Sequence, residues 1–261
     1  MVRTLAACLL LALSAPVLAD DDGPLFPLGR EWAGDIKLPR PYGVSVDVFS
    51  LDQPYGIDEL QFTLPGFSVG DVGDIDVQNR IHEEDLKFDV WVLPFLDLFA
   101  LYGHVHARTF VDLSAAQGPI PLGTLPVRYS GQVYGGGLTL IYGGEHWFTS
   151  LTGTYTDSNL SGDFDSSVHS TTWQPRVGWV NGPWTLWLGA YYLDISERHK
   201  GVIAIPVLGS VPFDVSLSQT EDWSPALGAH YYFTDAIEAS LEIGGGGDRT
   251  TTLLNIGYRF E

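Results

Sequence analysis

His104 and His106, separated by one residue, are the side chains of this sequence best placed to bind a metal ion. Residues two apart on a strand point the same way, so both imidazoles could reach one ion, with His230 or a carboxylate as a third ligand. The alternative is a hydrogen-bonded role beside an acidic side chain such as Asp89 or Glu238. Since the sequence fixes no third ligand, we predict no metal site and no cofactor.

Residues 157–165, DSNLSGDFD, are similar to the first half of a calcium-binding loop. Oxygen-bearing side chains alternate along the segment and glycine is sixth, as such loops require. The twelfth position is Val168, where a bidentate carboxylate is needed, and no helices are predicted on either side. We therefore predict a solvated external loop, and weak calcium binding there is left open.

Serine and histidine occur close together twice, and a hydrolase needs such a nucleophile and base within hydrogen-bonding reach. His169 and Ser170 are adjacent, so they point to opposite faces of a strand. His146 and Ser150 share a face but stand four residues apart, too far for a hydrogen bond. The sequence predicts no catalytic residues and no enzyme, although residues on separate strands could still assemble an esterase site.

Charged side chains alternate with apolar ones over much of the chain. In residues 82–92, for example, Leu86 and Phe88 alternate with Asp85 and Lys87. This period of two predicts strands with one apolar and one polar face. In a membrane-spanning barrel the apolar set faces lipid and the polar set lines the lumen. The predicted lumen-lining residues are Asp47, Glu59, Lys87, Asp89, His104, His106, Arg108, Arg176, His230, Glu238, Glu242 and Arg259.

This predicted lining holds five carboxylates and four arginine or lysine cations, and its histidines are mostly neutral at pH 7. Two interpretations fit that near balance. A wide barrel would leave the charges in water, whereas a narrow one would pair them across strands, because a charge away from water must be compensated.

The whole chain, read for the same period, predicts about twelve antiparallel strands. Their ranges are 31–38, 42–51, 57–65, 82–92, 98–112, 129–142, 146–156, 168–180, 183–197, 222–233, 236–244 and 250–260. Residues 198–221 are predicted to prolong their hairpin beyond the bilayer. Many of these strands exceed the usual soluble length of about 5–6 residues, and aromatic residues cluster beside the short turns. The pattern favours one transmembrane up-and-down β-barrel, all-β, with short periplasmic turns and long external loops, over a soluble sandwich.

The N-terminus predicts export. Residues 1–19 read as a secretory signal peptide, 20–30 as an N-terminal periplasmic segment and 31–261 as the barrel. Cys8, the only cysteine, lies in the predicted signal peptide, so the mature chain would have none. Without Arg3, 12 basic residues face 32 acidic ones, a net charge of about −20. Nucleic acid is therefore excluded as a partner, since phosphate binding needs a basic face.

The last strand, TTLLNIGYRFE at 251–261, ends on an alternating pattern with Tyr258 and Phe260. Together with the signal peptide and the glycine- and aromatic-rich hairpins, it resembles a Gram-negative outer-membrane β-barrel protein. The resemblance implies location in the outer membrane, contact with its lipid and lipopolysaccharide, and recognition of the terminal strand by the barrel-assembly machinery. Glu261 departs from the pattern, because the aromatic residue more often stands last in these proteins.

Two functions follow as hypotheses. The first is a narrow, porin-like channel for small solutes that leans weakly towards cations, because inward carboxylates slightly outnumber inward cations and the whole chain is acidic. The second is a non-conducting structural or interaction barrel that acts through external loops such as 197–222.

Overall fold

The computed structural model describes residues 24–62, 75–114, 123–162, 164–205 and 209–261. A short 3₁₀ helix, Arg30–Ala33, precedes the strands. The strands are β1 (Tyr42–Phe62), β2 (Val77–Leu93), β3 (Leu96–Asp112), β4 (Thr124–Gly143), β5 (Trp147–Gly162), β6 (Phe164–Asn181), β7 (Trp184–Ile205), β8 (Gly209–Gln219), β9 (Trp223–Tyr232), β10 (Ile237–Gly246) and β11 (Arg249–Phe260). The predicted signal peptide lies outside the described residues.

The eleven strands of the described ranges form one antiparallel sheet that closes on itself. The first strand pairs with the last, from Tyr42 opposite Phe260 to Asp52 opposite Thr250. Consecutive strands up to β7 are neighbours, as in an up-and-down barrel. The all-β barrel that the alternation predicts is confirmed. Within the same ranges no α-helix has the length and hydropathy that crossing a bilayer would take.

The barrel narrows along its axis because one hairpin is short. Both β8 and β9 pair with the same edge of β7, β8 with its upper part and β9 with its lower part. The opposite edge of β8 pairs with β1, whereas the opposite edge of β9 pairs with β10. The β10–β11 hairpin turns at Gly247, partway up. Below this turn the ring contains ten strands, β1–β7 and β9–β11, and we call it the lower section. Above it the ring is β1–β8, and we call it the upper section.

Arg249 fills the point where the two sections meet. Its side chain is only 1% exposed. Its Nε donates to Gln53 Oε1 of β1 at 2.8 Å, and its terminal nitrogens donate to the backbone carbonyls of Glu221 and, at 3.3 Å, Asp222. Those two carbonyls lie between β8 and β9. A single guanidinium therefore ties three strands together at the gap above the short hairpin.

The exterior of the lower section is an apolar belt between two aromatic rows. The lower row includes Tyr142, Trp147, Trp184 and Tyr231, and the upper row includes Tyr134, Tyr155, Tyr192 and Trp223. Where one strand contributes a residue to each row, the two residues lie eight positions apart, as Trp147 and Tyr155 do. Eight residues span about 26 Å along a strand, or about 20 Å of height at a tilt of about 40°, near the apolar band of outer-membrane barrels.

Exposed aliphatic and phenylalanine side chains fill the space between the rows. They include Leu86, Phe88, Leu98, Leu140, Leu151, Val177, Leu188, Leu227, Leu241, Ile243 and Ile256. An apolar surface of this extent is built for contact with lipid, and a closed β-barrel satisfies its own backbone hydrogen bonds inside a bilayer. The lower section therefore has the surface of a membrane-spanning barrel, as the predicted location in the outer membrane requires.

The upper section reverses this arrangement. Its outward positions are polar, as at His82, Arg80 and Lys200, whereas its inward positions form a buried apolar core. That core includes Leu51, Val77, Val105, Ala107, Val127, Leu160, Val168, Leu193, Ile195 and Leu217. The upper section is thus organised like a water-soluble barrel, and its strands are long because they continue past the bilayer.

Several predicted elements are wrong in detail. Residues 42–51 and 57–62 of the predicted second and third strands belong to one strand, β1. Residues 198–221 do prolong their hairpin above the belt, as predicted, and its second arm, β8, pairs with β1 as well as with β7. Residues 31–38 form no strand: the chain turns through the 3₁₀ helix, and Leu28 N donates to Val92 O at 2.9 Å. The prediction of an external loop at 157–165 is also wrong, because 157–162 lies in β5 and 157–160 pairs with a strand on both sides. An extended strand cannot wrap its oxygens around one ion.

Candidate functional site: the lumen

The lower section encloses a cavity of about 1900 Å³. Its wall extends from Trp32 and Glu261 at the lower mouth to Tyr129 and Glu197 below the upper core. A ring of eight strands is just wide enough for its inward side chains to fill, whereas two more strands leave space. The change in strand number therefore sets where the cavity ends.

The structure places eight of the twelve predicted lining residues inside the lower section. They are Asp47, Lys87, Asp89, Arg176, His230, Glu238, Glu242 and Arg259. Each occupies an inward position of its strand. The four others, described next, do not reach the lumen.

His104, His106 and Arg108 point outwards and are exposed, so their prediction as lining residues is wrong. Their alternation with Val105 and Ala107 is as expected, but this part of β3 lies above the belt, where water is outside and the core inside. Glu59 is also exposed, because a β-bulge between Ile57 and Glu59 shifts the register of β1 against β8. Such a shift reverses the face on which later side chains lie.

Three lining carboxylates were missed: Glu83, Asp85 and Asp97. Asp85 and Asp97 each have a buried Oδ1 without a hydrogen-bond partner among the described residues. The alternation in residues 82–92 already placed Asp85 on the polar face with Lys87, and the same period extends to Glu83. Asp97 was hidden by its place beside the β2–β3 turn.

The inward charges of the lower section are consequently more acidic than expected. Seven carboxylates face three cations along its strands. The carboxylates are Asp47, Glu83, Asp85, Asp89, Asp97, Glu238 and Glu242, and the cations are Lys87, Arg176 and Arg259. Five of the seven lie on β1, β2 and β3, so one wall of the cavity carries most of the negative charge.

The cations of the lining are paired. Arg176 Nε lies 2.6 Å from Glu242 Oε2, and Trp187 Nε1 donates to the same oxygen at 2.5 Å. Arg259 joins two carboxylates, Asp89 at 2.6 Å and Glu238 at 3.3 Å. Fixed pairs of this kind are expected in a low-dielectric interior. The two arginines therefore engage three of the seven carboxylates, and the other four, Asp47, Glu83, Asp85 and Asp97, have no arginine partner among the described residues.

Lys87 has a different position from the arginines. Its Nζ lies 3.5 Å from Asp47 Oδ2 and 5.5 Å from the ring centroid of Phe99. It is thus the cation of the acidic wall, flanked along β2 by Asp85 and Asp89.

A buried polar cluster closes the top of the cavity. Glu197, 2% exposed, accepts hydrogen bonds from Tyr55 Oη at 2.6 Å and Tyr129 Oη at 3.4 Å. His199 Nε2 lies 2.9 Å from the other side of the same carboxylate, and Asn79 Nδ2 contacts both Glu197 and Tyr129. We call these five residues the Glu197 cluster. Because they lie within the apolar core, they stand directly between the cavity and the upper end.

Residues 24–41 cross the lower mouth and line the cavity from below; we call them the strap. Trp32 stacks on Phe95 in the β2–β3 turn, with ring centroids 6.2 Å apart. Lys37 Nζ lies 2.7 Å from Asp235 in the β9–β10 turn, and this ammonium holds the pKa of the Asp235 carboxyl below its ordinary value. The strap is therefore attached to two well-separated turns of the rim.

Replacing Trp32 by alanine should loosen the strap. We expect a cysteine introduced at Ser150, inside the cavity, to react about fivefold faster with a small maleimide, because an aromatic pair contributes about 1 kcal/mol. The predicted mature chain has no cysteine to interfere. Leu25→Ala, at an exposed position of the same strap, is the matched control, and equal rates in the two variants would contradict this role of Trp32.

The exterior histidines do not assemble a metal site. His104 and His106 pack edge to face with centroids 4.6 Å apart. Within the described ranges, no three histidine, cysteine or carboxylate side chains come together as a metal-ion site. The hydrogen bonds envisaged with Asp89 or Glu238 are also ruled out for this pair, since both carboxylates are inside the barrel.

A serine and a histidine do meet on separate strands outside the barrel. Ser50 Oγ and His82 Nδ1 are 3.1 Å apart, and Glu84 Oε1 is 3.6 Å from His82 Nε2. The second distance exceeds hydrogen-bond reach, so no acid orients the imidazole. His169, considered above beside Ser170, instead pairs with Asp157 at 2.5 Å.

No family model matches the sequence, and no curated protein matches it. Among solved structures, the chain is similar to an outer membrane channel from Pseudomonas putida F1, at 13% identity and a TM-score of 0.42, covering 87% of this chain and 98% of that one. It is also similar to the transport unit of the autotransporter AIDA-I from Escherichia coli, at 11% identity and 0.41, covering 98% and 97%. The toluene transporter TbuX from Ralstonia pickettii matches at 10% and 0.37, covering 87% and 90%.

Proposed function

We propose that the protein is an outer-membrane channel for small solutes that is shut in the described conformation. The observation that carries this proposal is the cavity of about 1900 Å³, which has charged side chains in its wall within the membrane and is bounded above by the Glu197 cluster. A barrel with a purely structural role could fill its membrane section with side chains. Here the section retains a solvent-sized lumen lined by fixed charges.

The lining supports a preference for cations. Seven inward carboxylates face three inward cations, and rings of carboxylates are how pores favour cations. The acidic wall of β1–β3 holds the carboxylates that no arginine engages. Since Glu238 and Glu242 are engaged by arginines, Glu83 and Asp85 are the residues expected to set selectivity.

Planar-bilayer recording tests the channel. We expect little current from the unaltered protein and resolved conductance from Tyr55→Ala/Tyr129→Ala, which removes the two largest rings of the Glu197 cluster. In that background under a salt gradient, the reversal potential should have cationic sign. It should shrink in Glu83→Gln/Asp85→Asn, but not in Glu84→Gln, the outward neighbour on the same strand. Folding of each variant is checked by heat modifiability on a gel.

The second candidate is a non-conducting barrel that acts through its external end. The filled upper section favours it, as does Val202, an apolar residue 56% exposed near the tip of β7. Deleting 200–216 would remove most of β8 and open the upper ring, so this hypothesis needs a point variant such as Val202→Asp. Folded Tyr55→Ala/Tyr129→Ala protein without conductance would overturn the channel and favour this candidate.

A further inference from the structure

Three arginines form a row on the outside of the upper section. Arg80 of β2 is the cross-strand partner of Arg108 of β3, which is in turn the partner of Arg128 of β4. All three residues are exposed. Like charges directly opposite each other on a sheet are destabilising. This chain has a formal net charge of −19 and only 13 lysines and arginines, and three of the 13 stand side by side here. Arg80 and Arg128 each have an interaction of their own within the protein, which leaves Arg108 in the middle of the row.

The surroundings of Arg108 supply no counter-charge. Its nearest outward positions across the strands and along β3 hold no carboxylate; they are Gln78, Arg80, His82, His106, Phe110, Pro126, Arg128 and Ser130. Arg80 is engaged at its far side, where its Nε donates to Asp52 at 2.9 Å. Among the described residues, Arg108 itself has no hydrogen bond or ion pair. Its guanidinium is therefore presented to whatever surrounds the barrel.

The height of the row indicates which anion that is. Arg108 is six positions above Tyr102, an outward tyrosine of the upper aromatic row. Six residues correspond to about 20 Å along the strand and about 15 Å of height at the usual tilt. The headgroup zone of an ordinary phospholipid bilayer adds only about 5–8 Å on each side. Phospholipid phosphates would thus lie below the row, whereas a glycolipid with a phosphorylated sugar headgroup reaches it.

We propose that Arg80, Arg108 and Arg128 bind the sugar–phosphate region of lipopolysaccharide in the outer leaflet. Guanidinium groups bind phosphate oxygens bidentately, and a row of three can engage more than one phosphate. The site is on the outer wall, so it does not depend on whether the lumen conducts. It gives a specific location to a partner that the sequence implied only in general.

Binding is measured on the folded full-length barrel in detergent, by titration with lipopolysaccharide carrying a phosphorylated core. We expect Arg108→Gln to weaken binding about tenfold, because charge-assisted hydrogen bonds to phosphate are among the strong ones. Arg80→Gln/Arg108→Gln/Arg128→Gln should weaken it further. Arg108→Gln removes no contact within the described residues, so this variant should fold as the unaltered protein does.

Arg198→Gln/Lys200→Gln is the matched control, since it removes two exposed cations from the β7 wall at a similar height. We expect its affinity to stay within about twofold of the unaltered protein. Lipid A without core sugars should bind weakly and respond little to Arg108→Gln. Three results would each overturn the proposal. The first is a triple variant that binds with the affinity of the unaltered protein, and the second is a control variant that loses as much affinity as the triple variant. The third is lipid A binding that depends on Arg108 as strongly as the binding of full lipopolysaccharide does. If inorganic phosphate at millimolar concentration displaces the lipopolysaccharide, the occupant of the site is free phosphate and not the lipid.

Discussion

Replacing Arg249 by leucine is expected to lower the free energy of unfolding by about 3–5 kcal/mol, because it leaves several buried hydrogen-bond acceptors without a donor. The oxygen of Gln53 and the carbonyls of Glu221 and Asp222 all lose their partner at once. Leucine has the length to fill part of the space, so the effect reports on the lost hydrogen bonds more than on a cavity.

The measurement is the urea midpoint of the heat-modifiable band in detergent. Arg249→Lys keeps the charge but not the planar fork, so it should fall between the unaltered protein and Arg249→Leu. Thr250→Ala, at the adjacent outward position, should change the midpoint little. An Arg249→Leu barrel as stable as the unaltered one would mean that the junction between the sections is held by strand pairing alone.

Replacing Glu197 by alanine should also destabilise the barrel by about 3–5 kcal/mol, since it leaves several buried hydrogen-bonding groups without their partner at once. Glu197 and His199 are each 2% exposed, and the carboxylate accepts the hydrogen bond of Tyr55 at 2.6 Å.

The double variant Glu197→Leu/His199→Leu tests whether that loss of stability comes from the partner left unpaired or from the wider hydrogen-bond network. Replacing both partners of a buried hydrogen bond by apolar residues can be nearly neutral in stability, so the double variant should recover much of the urea resistance that Glu197→Ala loses. If the double variant is as unstable as the single one, the cluster stabilises the barrel through its whole hydrogen-bond network instead, including Asn79 and Tyr129.

The sequence predicted the faces of the strands better than their surroundings. His106 and Val105 do lie on opposite faces of β3, as their alternation required. Which face meets water depends on whether that part of the strand is in lipid, and the belt ends at Tyr102, four positions earlier. The eight-residue spacing of aromatic residues, as between Trp147 and Tyr155, marks that limit and was legible in the sequence.

Other features depend on pairs that are distant along the chain. Gln53 and Arg249 are 196 positions apart, and Tyr55 and Glu197 are 142 apart. Neither local periodicity nor turn chemistry indicates that β8 would pair with β1. The Glu197 cluster and the narrowing of the barrel were for that reason not predictable from the alternation of residue types.

The double pairing of β1 has a consequence for the order in which the barrel can be assembled. β1 pairs with β8 in the upper section and with β11 in the lower one, so the chain closes twice on a single strand. The first closure needs nothing beyond residue 219, and it leaves the upper ring without a free edge. The last hairpin then enters a gap already bounded by β9 and β1. A barrel with one seam must stay open until its final strand arrives, whereas this one can be sealed at its far end first.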